Sequence, residues 1–216
     1  RMICLGDDGA FGGMAKGTAF VDHTTVSAKV TRELYAAAAE IGVGFVDAPV
    51  SGGQAGAENG VLSVMCGGSE ADYAAAEPVM QAYGKIVKRL GEVGAGQTAK
   101  MCNQIAIAGL VQGLSEALHL AEKSGLDGEA LVNVISGGAA GSWQMVNRHK
   151  TMLADHYEHG FAVDWMRKDL SICLDEAKRH ELDLPLTQTV DARYETLQKM
   201  GLGRMDTSVL IKSLTQ

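Results

Sequence analysis

Strand and helix signals alternate from residue 19 to residue 90 and then stop, and that switch confines the chain to few architectures. Ala19-Phe20-Val21-Asp22 is a short apolar strand that ends in the polar run His23-Thr24-Thr25. Residues 27–41 read as a helix, with Val30, Leu34, Ala37, Ala38 and Ile41 at helical spacing. Gly42 and Gly44 end it. Gly44-Phe45-Val46-Asp47 is a second strand, 61–66 a third and 85–90 a fourth. Ser69 and Asp72 are spaced like a capping box and open a helix toward Tyr83. Such alternation implies an open α/β sheet with crossover units.

Beyond Gly96 the strand signal is nearly gone. Residues 99–123 read as one long helix whose only charge between Met101 and Leu118 is Glu116. Asn103, Gln104, Gln112 and Glu116 make it costly as a membrane span. It fits better as a helix buried among others or against a second subunit. Further helices are expected at 127–136, 142–154, 164–181, 187–200 and 206–214, with Asp127 and Asp164 as N-caps. The expected layout is an α/β part at 1–93 and an all-helical part at 94–216. A helix apolar on nearly every side also predicts a homodimer or homotetramer, because apolar area left uncovered within one chain marks an interface.

Composition limits the functions available. The chain has 216 residues, 46% of them apolar and 21% charged, which excludes global disorder. A net charge of −7 argues against a nucleic-acid partner, and no polybasic membrane patch is present. Cys4, Cys66, Cys102 and Cys173 are dispersed and form no Cys-x-x-Cys pair, which removes sequence support for zinc and thioredoxin chemistry. Dispersed cysteines without a signal peptide point to a reducing cytoplasm. His149, His156 and His159 are spaced to share one helix face, but no carboxylates complete a ligand set. A solvated polar face is the expectation there, and no metal.

Two clusters and one tripeptide can carry chemistry. Ser51-Gly52-Gly53, within the run Asp47 to Ala57, follows a strand and can present consecutive backbone N–H groups to an anion. On the glycines alone it reads equally as a tight turn. Gly91-x-x-Gly94-x-Gly96-x-x-x-Lys100-x-x-Asn103 leads into the long helix. Lys100 and Asn103 lie three apart and share a face. The helix terminus and partial burial both favour a neutral Lys100 amine, which suits proton transfer. In isolation the same lysine reads as a solvated residue beside a cap. Lys168-Asp169-Leu170 lies in an amphipathic stretch and on its own reads as surface.

Taken together, the clusters are more specific. The string Asp47 to Ala57 resembles the substrate-binding signature of the β-hydroxyacid dehydrogenases, the 3-hydroxyisobutyrate dehydrogenase family. Gly94 through Lys100 to Asn103 resembles their catalytic signature, and Lys168-Asp169-Leu170 their C-terminal motif, in the same order and spacing. The resemblance implies a Rossmann-type domain joined by one long helix to an all-helical domain. It implies oxidation of small β-hydroxy acids, or reduction of the matching semialdehydes, with NAD or NADP. It makes Lys100 the general acid/base and Asn103 the residue that orients substrate beside it. It gives Ser51, Gly52 and Gly53 the substrate carboxylate, and Thr25 and Lys168 the cofactor. The chain departs from the family pattern in lacking the first strand and its Gly-x-Gly-x-x-Gly turn, so an upstream segment is expected to precede Arg1. It also has Val26-Ser27-Ala28 where relatives often carry a proline. Cys102 stands where 6-phosphogluconate dehydrogenases typically have a histidine, and Lys100 argues against the imine reductases. A non-catalytic scaffold fragment is the alternative from another class.

Overall fold

The computed structural model describes residues 1–214, which divide into two compact units, Arg1–Cys102 and Asn103 onward. The first unit begins with α1 (Met2–Leu5) and a short 3-10 turn (Ala10–Gly13). Then follow β1 (Ala19–Asp22), α2 (Ala28–Glu40), β2 (Gly44–Asp47), β3 (Val50–Ser51), α3 (Gly53–Glu58), β4 (Leu62–Gly67), α4 (Glu70–Met80) and β5 (Gly84–Gly91). The helix α5 (Ala95–Lys123) starts in this unit. The expected strands and helices are present, and local chemistry sets their ends. Ser27 Oγ accepts from the amide of Val30 at the start of α2, and Ser69 Oγ accepts from the amide of Asp72 at the start of α4.

The sheet is mixed. β1 and β2 are parallel, with Ala19 opposite Gly44 and Asp22 opposite Asp47, and α2 is their crossover. β4 and β5 are likewise parallel across α4. Between these crossover units the chain reverses. Asp47 pairs with Gly67, Val50 with Val64 and Ser51 with Ser63, all antiparallel and in one register. β2 and β3 are therefore one strand interrupted at Ala48-Pro49. The interruption follows from proline, which has no N–H to give. Its carbonyl still accepts from Met65 N, so the register carries through. β3 is absent from the sequence expectation because Pro49 and the glycines after it read as a turn.

β2 is an inner strand, flanked by β1 and β4. Phe45 and Val46 point to opposite faces, as successive strand residues must, and both are fully buried. Val46 joins Ala48, Leu62, Val64, Cys66, Ala76 and Met80 on one face. Phe45 joins Cys4, Phe11, Leu34, Ala38 and Val43 on the other. Burying each large apolar side chain contributes roughly 1.5–3 kcal/mol.

The second unit is helical. It contains the rest of α5, then α6 (Gly128–Ile135), α7 (Trp143–Leu153), α8 (Val163–Arg179), α9 (Pro185–Lys199) and a 3-10 helix (Thr207–Leu214). Leu114, Leu118, Met166, Leu170, Val190, Tyr194, Leu197, Val209 and Leu210 form its core. Asp127 caps α6 as expected, through the amides of Glu129 and Ala130. Asp164 is not a cap. The cap position of α8 is Ala162, and Asp164 lies in the first turn, where it accepts from Gln198 Nε2. The three histidines do not share a helix face either. His149 is buried within α7, whereas His156 and His159 lie beyond its end. Among the described residues no helix is long and apolar enough to cross a membrane.

Asp206 organises this unit. It is 0% exposed and accepts from Arg148 Nε, Phe161 N, Ser208 N and Ser208 Oγ. Removing the carboxylate strands all four donors. Asp206→Ala should therefore lower the unfolding free energy by roughly 3–5 kcal/mol in urea denaturation. A loss below about 1 kcal/mol, the size of one ordinary hydrogen bond, would show that the cluster is incidental.

Candidate active site

The parallel strands β1 and β2 both end at one edge of the sheet, the edge where open α/β sheets bind ligands. Three segments meet there: the His23–Val26 loop after β1, the Ala48–Gly53 segment after β2, and the first turns of α5.

Asp47, the last residue of β2, holds α5 in place. Its Oδ1 accepts from Gly94 N at 2.7 Å and its Oδ2 from Gln97 N at 2.9 Å. Two amides that have no partner within the helix are thus satisfied from the end of β2. Burial pushes the Asp47 carboxyl above its usual value, against the downward pull of the amides of Gly94, Gln97 and Gly96. The junction requires glycine. A Cβ on Gly96 would lie 2.4 Å from Met65 O and 2.5 Å from Asp47 O, both backbone atoms. The helix begins at residue 95 rather than 99 because its cap is supplied from Asp47, which no local pattern reveals.

Lys100 lies in the second turn of α5. It is only 8% exposed, and its Nζ donates to Val50 O at 2.8 Å. The amine is thereby set beside Ser51 and the turn that follows. Gly52 and Gly53 both adopt positive φ, +134° and +63°, a conformation that disfavours other residues. The structure thus brings Lys100 to the Ser51-Gly52-Gly53 turn.

Thr25 lies in the loop after β1, and its neighbours are clamped. Gln97, fully buried, accepts from Val26 N at 3.1 Å and donates to Thr24 O at 2.7 Å. Asp22 Oδ1 accepts from Thr24 N. His23 Nδ1 lies 2.6 Å from Ala48 O and its Nε2 lies 2.8 Å from Tyr83 OH. A carbonyl only accepts, so Nδ1 carries a proton.

Asn103 and Lys168 belong to the second unit, where a chain of contacts links them. Asn103 Nδ2 donates to Gln104 Oε1, and Gln104 Nε2 donates to Asp169 Oδ2, each at 2.7 Å. Asp169 Oδ1 lies 2.8 Å from Lys168 Nζ. Lys168-Asp169-Leu170 is not simply surface, since Asp169 is 2% exposed and Leu170 is fully buried. Sequence reasoning did not single out Gln97, Gln104 or His23. The usable signal is a glutamine at 97, 104 and 112 of one long helix, spacings of seven and eight that return to one face.

Comparison with known proteins adds the family. Residues 94–214 match the family described as NAD-binding of NADP-dependent 3-hydroxyisobutyrate dehydrogenase. Residues 1–94 match the NAD binding domain of 6-phosphogluconate dehydrogenase. An uncharacterized oxidoreductase of Shewanella frigidimarina is 54% identical over 99% of this chain and 74% of its own length. A 2-(hydroxymethyl)glutarate dehydrogenase of Eubacterium barkeri is 36% identical over 97% of this chain and 70% of its own. The crystal structure of a 3-hydroxyisobutyrate dehydrogenase from Salmonella typhimurium superposes with a TM-score of 0.87 at 33% identity, covering 95% of this chain and 72% of that one.

The glycine requirement is local and can be tested within one helix. Gly96→Ala should destabilise by roughly 1–3 kcal/mol, because both crowded neighbours are backbone. Gly113→Ala, in the same helix with nothing within 4 Å of the new methyl, should stabilise by roughly 0.5–1 kcal/mol. Denaturant melts of both variants check this. Equal effects would refute the tight junction.

Proposed function

The chain belongs to the β-hydroxyacid dehydrogenase family typified by 3-hydroxyisobutyrate dehydrogenase, with its NAD(P)-binding domains, and on that premise we propose that its residues carry out the oxidation of a small β-hydroxy acid or the reduction of its semialdehyde. The observation that carries this reading is the buried Lys100 amine, held 2.8 Å from Val50 O beside the Ser51-Gly52-Gly53 turn. A proton-transfer group and an anion-binding turn in one place suit a substrate bearing a hydroxyl and a carboxylate.

Each residue has a role. Ser51, Gly52 and Gly53 hold the substrate carboxylate with backbone and hydroxyl donors. Lys100 takes the hydroxyl proton as a neutral amine in oxidation and returns it as an ammonium in reduction. The bond from Nζ to Val50 O uses one N–H and keeps the nitrogen aimed along the turn. Asn103, one helical turn further on, orients the substrate. The clamped loop at the end of β1 fits the nicotinamide side of NAD or NADP, since a polar backbone segment fixed from several sides gives a rigid edge for a flat, amide-bearing ring. Thr25 and Lys168 are the residues that would hold the cofactor. Bound NAD(P) supplies the hydride acceptor for oxidation and the donor for reduction.

The test is a panel of 3-hydroxyisobutyrate, 3-hydroxypropionate, D-glycerate and succinic semialdehyde with both cofactors, on the full-length protein. One of these pairs should turn over, and Lys100→Ala should abolish that turnover while the thermal melt is unchanged. Residual kcat within about tenfold of wild type, about 1.4 kcal/mol of barrier, would remove Lys100 from the chemistry.

We propose also that the protein is a homodimer or homotetramer. On α5, Leu110 and Leu120 are 44% and 68% exposed, and in the same unit Val134, Trp143 and Val146 are exposed as well. Light scattering at micromolar concentration should return a multiple of the chain mass, and a monomeric mass would refute it.

A further inference from the structure

Gln97, in the first turn of α5, grips the loop after β1 by both its backbone polarities. Its amide oxygen accepts from Val26 N and its amide nitrogen donates to Thr24 O, so it pairs with that segment as a neighbouring strand would. It does so fully buried, where an unpaired amide would be costly. The backbone donor and acceptor also fix which end of the amide is which, because a carbonyl can only accept and an N–H can only donate. Its own amide N–H goes to Asp47, so Gln97 is itself fixed to the end of β2. Lys100 is one turn further along the same helix. Gln97 thus connects the loop that contains Thr25 to the helix that carries the Lys100 amine.

We infer that Gln97 is a positioning residue that sets the Thr24–Val26 loop, and with it the nicotinamide end of the cofactor, against the Lys100 turn of α5. This rests on the proposed dehydrogenase function. Gln97 touches neither cofactor nor substrate in this account. Its effect passes through the backbone of Thr24 and Val26. Asp22 and His23 tie the same loop to β1, Ala48 and Tyr83, and Gln97 ties it to the first turn of α5.

The experiment compares binding of NADH and NADPH with binding of ADP-ribose and 2′-phospho-ADP-ribose, which lack the nicotinamide, by calorimetry on the full-length protein. Gln97→Met keeps the volume and removes both bonds. It should weaken the intact reduced cofactor about tenfold, as expected for a loop no longer held in place, lower kcat, and leave the ADP-ribose affinity unchanged. A purely structural role would weaken both ligands together, and that result would overturn the inference. If Gln97→Met does not fold, Gln97→Glu serves: it keeps the acceptor for Val26 N, loses the donor to Thr24 O, and should show the same selectivity. Equal NADH affinity in wild type and variant overturns the positioning role and leaves the dehydrogenase reading intact. Failure of the wild type to bind either reduced cofactor overturns both.

Discussion

The Asp47 carboxylate at the start of α5 is the contact on which the first unit's candidate site depends. It ties the end of β2 to the amides of Gly94 and Gln97. A helix is a stiff rod, so fixing its first turn also fixes Lys100 in the second turn and Gln97 in the first. Two effects oppose each other at this carboxylate. The helix dipole and the donated N–H groups favour its charge, and burial disfavours it. Burial has the larger effect, and the carboxyl sits above its usual value. Gly96 and Gly67 make the arrangement possible, because a Cβ on either would overlap Asp47 or the facing backbone.

Much of the first unit was legible in the sequence because its signals are local. The strand at Ala19–Asp22, the helix capped by Ser27 and the capping box at Ser69 each declare themselves within a few residues. What could not be read locally is what rests on distant partners. β3 exists because Val50 and Ser51 pair with Val64 and Ser63, although Pro49 and the glycines beside them point to a turn. The true start of α5 depends on a carboxylate 47 residues earlier. Asp164 reads as a cap in the sequence, and in the fold it accepts from Gln198.

The candidate site was legible in a different way. The residue pattern singles out Lys100, Ser51, Gly52 and Gly53, the family resemblance gives them roles, and the structure supplies a physical relation among them that spacing alone could not. The glutamines of α5 show the opposite failure. In the sequence Gln104 and Gln112 read as interruptions of an apolar stretch, yet Gln97, Gln104 and Gln112 are all buried while Leu110 and Leu120 are exposed. A buried amide must find partners. Gln97 has the loop backbone, Gln104 has Asn103 and Asp169, and Gln112 donates to Glu116 while its own amide oxygen stays buried without a hydrogen bond. Hydrophobicity averaged along a helix hides this, because it takes no account of which polar residues recur on one face.

Among the described residues, three carboxylates are at most 2% exposed: Asp47, Asp169 and Asp206. Burying a charge costs more than its pairing usually returns, so stability alone does not explain them. Each one joins segments that are far apart in sequence. Asp47 reaches Gly94 and Gln97, Asp169 reaches Gln104, and Asp206 reaches Arg148 and Phe161. Apolar packing is tolerant and accepts a sliding of one helix by part of a turn. A buried carboxylate with two to four directed donors does not, since any slip strands both the charge and its donors. Two of the three also lie beside proposed site residues, Asp47 in the frame of Lys100 and Asp169 in contact with Lys168. In this chain the charges hidden from solvent fix register, and register is what a proton-transfer site needs, because an error of about 1 Å in the position of a reacting group can cost on the order of a hundredfold in rate.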